Sequence, residues 1–510
     1  MLLKKLSALA IIGACILSAN SSLAQKGKTR PTATVTNLDK DGRQITRFNT
    51  VGDAVDAHDG EIALFNGVYY LYGTSYDCGF EWQNKNAAFC GFKTYSSTDM
   101  VTWKDEGFLF DAQTPVWQKR CNGNTYGCFR PHVVFNNKTN LYVLWVNVYD
   151  NVSGYRVFTA TKPTGPFTEV AEPKLTVNAA APAGALNNGD HDTFIDDDGT
   201  AYLAFTDWRS GGAIVIEKLS ADYLTGTGEV SQKVTATRTE APGMFKRNGI
   251  YYVVYSDPNC GYCAGTGASY KTATSPLGPW SEGKKISDNS CGGQPSFVST
   301  LKLGSGTVFL FGSDLWNNAA KNEALANYYW APLRFNDDGS IIPMDCNTPF
   351  KISTANNKPA AYKPVDGYLT HADISKSITR SQSFTATASG NLNITLTTLQ
   401  TGYPNADLQV SIFKADKEGL PTGNALATAE IANKSIGWSA KQFKVQPKLK
   451  VVKGQAYSMV LSTASTTGAY GFAYRDIGKI DGVEAYSKDG GESYTVEKGR
   501  TMRFSVAVSK

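Results

Sequence analysis

An all-β chain is the expectation here, organised as a five-bladed β-propeller followed by a C-terminal β-sandwich. Three observations predict it. Aromatic residues make up 12% of the 510 residues and glycine contributes 48, without any long helical periodicity, a composition suited to many short strands. A weak repeat of strands and closing turns runs from about residue 55 to 350, and five copies of such a unit suggest five blades. Beyond about Gly367 the repeat gives way to polar–apolar alternation, which is how a sandwich strand reads. A chain of this length is also too long for one ordinary core. The expected organisation is a leader over 1–24, a propeller over 25–350 and a sandwich over 365–510.

In order, Lys4 and Lys5 precede the apolar run Leu6–Leu17, and Ser22-Leu23-Ala24 is an acceptable cleavage site. These are the parts of a secretory signal, so export to the periplasm or medium is expected. Cys15 in Ile12-Gly13-Ala14-Cys15 offers lipid anchoring as the alternative. No later run is long enough to span a bilayer, and a net charge of +5 without a basic cluster does not imply nucleic acid. Of nine cysteines, eight remain once Cys15 is set aside. An even number in an exported chain suggests disulfides, and sequence-local pairing gives 78–90, 121–128, 260–263 and 291–346.

The repeat is clearest in one strand per blade: Val68–Tyr72 after Asn66-Gly67, Leu141–Trp145, Ala201–Phe205 after Gly199, Ile250–Val253 after Asn248-Gly249, and Thr307–Phe311 after Gly306. β-Branched and aromatic runs after Asn-Gly or Gly turns are hairpin signals. In the C-terminal part, Leu392-Asn393-Ile394-Thr395-Leu396 and Gln409-Val410-Ser411-Ile412-Phe413 alternate in period two. That region carries no concentrated carboxylate motif.

Three carboxylates recur at or before the first strand of a blade: Asp59 in Ala57-His58-Asp59-Gly60-Glu61, Asp190 in Gly189-Asp190-His191-Asp192, and Glu240 in Thr239-Glu240-Ala241-Pro242. Innermost strands of a propeller surround its axis, so acids that begin different inner strands can converge. Asp196-Asp197-Asp198-Gly199 reads as a hairpin turn. Met244 and Phe245 give Glu240 apolar surroundings that would hold a carboxylic acid protonated. An acid in that state is what protonates a leaving glycosidic oxygen.

With these motifs the chain resembles the family 43 glycoside hydrolases, over the repeat region. The resemblance implies Asp59 as general base, Asp190 as the group that orients the acid and tunes it, and Glu240 as general acid. Arg130-Pro131-His132 and Leu315-Trp316-Asn317-Asn318, with Tyr328–Leu333, are similar to the branch containing exo-β-1,3-galactanases and related galactosidases. Parts of that branch carry Gly where this chain has Asp59, a departure that favours ordinary base catalysis and loosens the tie to galactan. Glu61 is the alternative base. Gln294, in Cys291-Gly292-Gly293-Gln294-Pro295, resembles a residue near the reacting sugar. Glu61, Arg130, His132, His191, Gln294 and Trp316 are the expected substrate-binding set.

Three of the four histidines, His58, His132 and His191, flank these motifs. Phe80, Trp82, Tyr149, Trp208 and Trp316 are candidate rings for stacking on sugar faces. The resemblance implies no required cofactor and no metal ligand set, while leaving room for a structural calcium, which many relatives hold. The expected partner is a galactose- or arabinose-containing polysaccharide, cleaved from its end with inversion; arabinofuranose and xylose also fit such pockets. A silent sugar-binding propeller would not require all three acids. The fructoside-hydrolysing propellers carry an Asn-Asp-Pro-Asn box that is absent here.

Overall fold

The computed structural model describes residues 31–39, 41–82, 84–170, 172–178, 180, 187–258, 262–263, 265–316, 322–356, 358, 368–476 and 478–510. The expected leader with Cys15, Cys260 of the expected 260–263 pair, and Asn317-Asn318 lie outside them. Most of what is described is strand, turn or bend. Among the described residues one α-helix occurs, Pro115–Cys121, and no helix is long and apolar enough to cross a membrane.

Five consecutive antiparallel sheets follow the chain. Their inner strands are His58–Phe65, Phe129–Asn136, Asn188–Ile195, Glu240–Arg247 and Gln294–Leu303. Each pairs with the next strand in sequence: Val68–Thr74, Leu141–Asn147, Ala201–Asp207, Ile250–Ser256 and Gly306–Leu315. These second strands hold the five runs expected from the repeat. Asn66-Gly67 and Asn248-Gly249 turn into two of them with φ of 50° and 74°, and of 50° and 78°. Paired positive φ is what tight hairpins with right-handed twist require.

The inner strands pack first on second, second on third, third on fourth, fourth on fifth, and fifth back on first. Between successive sheets lie five apolar clusters. Ile62 and Leu71 meet Phe297 and Trp330; Tyr72 meets Leu144 and Phe158; Trp145 meets Phe205 and Val215; Ile214 meets Met244 and Val253; Phe245 meets Phe309 and Tyr329. The aromatic content thus goes into wedges between sheets, where large rings bury the most area per residue. Thr32–Val35 pairs with Phe350–Ser353, so the two ends of this region are clasped together.

From Leu369 onward the strands form a seven-stranded and a six-stranded sheet. Leu392, Ile394 and Leu396 of one and Leu408, Val410 and Ile412 of the other share one apolar cluster, as period-two alternation requires. Disulfides join Cys78 to Cys90, Cys121 to Cys128 and Cys291 to Cys346, as expected. Cys263 is also disulfide-bonded.

Gly243 sets how closely the fourth and fifth inner strands approach, since a Cβ there would stand 2.7 Å from the backbone nitrogen of Val298. Gly243→Ala is expected to lower stability by about 1–3 kcal/mol, as overpacking does. Thermal unfolding checks it, and an unchanged Tm would show that this approach is not tight.

Candidate active site

Each inner strand begins with a break in register: between His58 and Glu61, Phe129 and His132, Asn188 and His191, Glu240 and Gly243, and Pro295 and Phe297. Asp59, Arg130 and Ala241 occupy left-handed backbone there, with φ of 57°, 58° and 53°. Bulges of this kind re-aim side chains, and non-glycine residues persist at such φ only where their surroundings hold them. Here the holding groups are visible. The Asp59 N–H donates to Asp314 Oδ2 at 3.0 Å, and the Arg130 N–H donates to Asp59 Oδ1 at 3.0 Å.

Asp59 is buried and also accepts from Thr74 Oγ1 at 2.8 Å and the Tyr76 hydroxyl at 3.0 Å. Burial pushes its carboxyl up to about 7, with Asp314 adding to the rise and Arg130 opposing it. The Arg130 guanidinium pairs with Asp190 at 2.9 Å and donates to the carbonyls of Ser296 and Pro295 at 2.8 and 3.2 Å. Asp190 is the more open partner, with its side chain 17% exposed against 4% for Arg130. Glu240 accepts from Gln294 Nε2 at 2.5 Å, and Gln294 Oε1 accepts from the Trp316 indole at 3.2 Å. Tyr149 lies beside both Asp190 and Glu240: burial raises its phenol first, and those two charges raise it further. Asp59, Asp190, Glu240, Arg130, Gln294 and Trp316 are therefore one connected group.

Asp190, expected to orient and tune the acid, is itself paired with Arg130, whose guanidinium also holds the carbonyls of Pro295 and Ser296 next to Gln294.

Glu61, His132 and His191 stand elsewhere. Two residues along from Asp59, Arg130 and Asp190, and past the bulges, Glu61, His132 and Asp192 form a second group. His132 Nδ1 lies 3.2 Å from Asp192 and 3.9 Å from Glu61. Glu61 accepts from the Val133 N–H at 2.6 Å, and Asp192 from the Met244 N–H at 2.5 Å. Burial works against charge on His132, but Glu61 and Asp192 outweigh it and raise the imidazole. His191 packs between Tyr155 and His132, and burial together with the His132 and Arg130 charges holds it well below its ordinary value. Both histidines are 0% exposed, so the sugar contact expected of them is corrected to a buried structural role, while Glu61 lines a different cavity, with Asp192, Thr193 and Met244, from which Asp59, Asp190 and Glu240 are absent. One donor atom from each of Glu61, His132 and Asp192 falls within 4.8 Å of the others. These residues could hold a cation, though three donors are few beside the six to eight that calcium takes.

The sequence reading missed Asp314, Thr74 and Tyr76, which lie at or just past the ends of second strands that read as core. It also missed the charge on His58, which sits 3.3 Å from Asp56 and 3.6 Å from Asp314 and stacks on Tyr328 at 5.0 Å. Burial opposes protonation there, but the two acids bring the imidazole up to about 9. Of the stacking candidates, Phe80 and Trp316 are buried, Tyr149 and Trp208 are half-buried, and Trp82 is 40% exposed with its ring 5.9 Å from Tyr262.

Replacing Arg130 by Met would leave the buried acids around it without their cation. A loss of about 3–5 kcal/mol is expected, read as a lower midpoint in thermal unfolding. An unaltered midpoint would remove Arg130 from this role.

Residues 52–301 match the family model for glycosyl hydrolases family 43. A β-D-galactofuranosidase of Aspergillus niger is 30% identical over 235 residues, covering 44% of this chain and 64% of that one. An arabinoxylan arabinofuranohydrolase of Bacillus subtilis is 27% identical over 295 residues, covering 50% and 54%. The matches thus span roughly half to just under two thirds of these relatives. An exo-β-1,3-galactanase structure from Clostridium thermocellum superimposes with a TM-score of 0.51 at 20% identity, over 90% of this chain and 87% of that one. A second exo-β-1,3-galactanase, from Phanerochaete chrysosporium with β-1,3-galactotriose, gives 0.50 at 19% identity, over 86% and 100%. These two structures establish a shared fold.

Proposed function

The chain belongs, through residues 52–301, to glycosyl hydrolase family 43, and from that premise we propose that it is an exported, inverting, exo-acting glycosidase. Its substrate is a galactose- or arabinose-containing polysaccharide. The five sheets with cyclically packed inner strands are its catalytic β-propeller, residues 25–350. The two C-terminal sheets are a β-sandwich, residues 365–510, and residues 1–24 direct export.

The observation that carries this reading is the joining of Asp59, Asp190 and Glu240 from three different inner strands through Arg130 and Gln294. Inverting hydrolysis needs an acid on one side of the glycosidic bond and a base with a water on the other. Glu240 would give its proton to the leaving oxygen. Asp59, held by Thr74, Tyr76 and the Arg130 N–H, would take a proton from the attacking water. Gln294 keeps the Glu240 carboxyl aimed, and Trp316 keeps Gln294 aimed. The galactofuranosidase and arabinofuranohydrolase relatives support the sugar class, and the shared galactanase fold is compatible with it.

Two results test the reading. On β-1,3-galactan, arabinogalactan, arabinan and arabinoxylan, wild type is expected to release a monosaccharide, while Glu240→Gln and Asp59→Asn each lose at least ~10²-fold. Near-normal turnover in either variant removes that residue from its role. No sugar from any polymer would favour a sugar-binding propeller instead. The second result is a pH profile. A base must be ionised, so kcat/KM rises with pH through the Asp59 titration, which burial has moved to about 7. Thr74→Val removes a donor to the charged form and is expected to move this limb to higher pH. A limb near the ordinary carboxylate range, unmoved by that substitution, would contradict the assignment.

A further inference from the structure

One loop connects the C-terminal sheets to both halves of the candidate site. It is the segment Ser75–Phe80, which follows the strand Val68–Thr74. On its inner side, Ser75 Oγ and the backbone nitrogens of Tyr76 and Asp77 donate to Asp56 at 2.5, 3.0 and 3.2 Å. The Tyr76 hydroxyl reaches Asp59 Oδ2 at 3.0 Å. On its outer side the loop is clasped by residues 403 and 438–441. The Trp438 N–H donates to the Asp77 carbonyl at 2.9 Å, while the Ser439 N–H and hydroxyl donate to Asp77 Oδ1 at 3.0 and 2.6 Å. Lys441 pairs with Asp77 Oδ2, and the Tyr403 hydroxyl donates to the Gly79 carbonyl at 2.5 Å.

Trp438 itself is 1% exposed and belongs to one apolar cluster with Tyr76, Phe80, Trp316 and Ala324. Gly79 has φ of +92°, and a Cβ there would run into the Trp438 indole nitrogen. Asn322 Nδ2 donates to the Trp438 carbonyl at 3.2 Å and to the Gln400 carbonyl at 3.1 Å. The cluster therefore backs Tyr76, which holds Asp59, and Trp316, which holds Gln294 and through it Glu240. A side chain whose whole ring is enclosed in this way transmits displacement, because interiors are close-packed.

We propose that Trp438 is a positioning residue for both carboxylates, so that the C-terminal sheets complete the catalytic site rather than form a detachable sugar-binding module. The proposal rests on the acid and base roles given above. Losing the ring leaves a cavity behind Tyr76 and Trp316, lets the Tyr76 hydroxyl drift from Asp59, and removes a donor that favours the charged carboxylate. Misplacement on the ångström scale costs up to about 10²-fold in rate.

The experiment compares full-length wild type, Trp438→Ala, Trp438→Phe and Arg503→Met. Arg503 docks a different part of the same seam, donating to the Gly52 carbonyl at 2.7 Å. The readouts are the ¹³C NMR titration of the Asp59 carboxyl, kcat and KM on the polymer that wild type cleaves, and the pH limb of kcat/KM. Expected for Trp438→Ala is an Asp59 titration and pH limb moved to higher pH. Its kcat should fall about 10- to 100-fold with KM changed much less. Trp438→Phe is expected to recover most of this loss, and Arg503→Met to leave the titration in place. An Asp59 titration identical in wild type and Trp438→Ala overturns the proposal whatever the activity. If wild type releases no sugar, the functional reading fails on its own while the titration still decides the role of Trp438. Should Trp438→Ala not fold, Asp77→Asn is read in the same way: an upward shift supports the clasp, and an unmoved titration overturns it.

Discussion

The arrangement depends on one buried cation. Inner strands of neighbouring sheets pack side by side without sharing a hydrogen-bonded ladder, so something else must fix their mutual height and rotation. Arg130 does this from the second inner strand. Its backbone nitrogen holds Asp59 of the first, while its guanidinium holds Asp190 of the third and two carbonyls of the fifth. A planar group with five donors in fixed directions suits that task in a way a lysine would not. Burial opposes the charge, and Asp190, Asp59 and Asp314 more than compensate for it. The remaining strand, the fourth, is tied by Glu240 to Gln294 of the fifth.

The same device recurs two residues along the strands. Glu61 reaches Val133 of the next strand, and His132 and Asp192 pair across another boundary. Where the inner strands meet, charged side chains thus stitch them in two tiers, while the wedges between sheets are filled by apolar ones. Buried charges of this kind are costly unless every member is satisfied, which explains why acids, imidazoles and one guanidinium appear as neighbours and not singly. The upper tier contains Asp59 and Asp190, with Glu240 tied in beside them. The lower tier joins Glu61, His132 and Asp192 and so ties three neighbouring strands together.

Much of this was legible in the sequence. The five second strands were readable because β-branched and aromatic runs follow Asn-Gly or Gly turns. Asp59, Asp190 and Glu240 were readable because each begins the strand before such a run. The division into two tiers was not. Asp59 and Glu61, or Arg130 and His132, are two residues apart and would share a face in a regular strand. The bulges between them separate their environments, and a one-residue register change reverses which way a side chain points. Asp314 and Tyr76 were hidden for another reason. They end or follow second strands whose composition marks them as core, and their partners lie far away in sequence. Trp438 was hidden by distance as well, since no local pattern reveals that a residue in the bend before Lys441–Val445 shares an apolar cluster with Tyr76.

The central claim is that Asp59 and Glu240 act from opposite sides of one glycosidic bond, with a water between Asp59 and the sugar. The anomer first formed tests it most directly, followed by ¹H NMR while a β-linked galactose or α-linked arabinose oligosaccharide is cleaved. The account predicts that the sugar appears first in the configuration opposite to that of the bond broken, and only later mutarotates. First appearance with the original configuration would mean a covalent intermediate on one of the carboxylates, and would contradict the roles assigned to both.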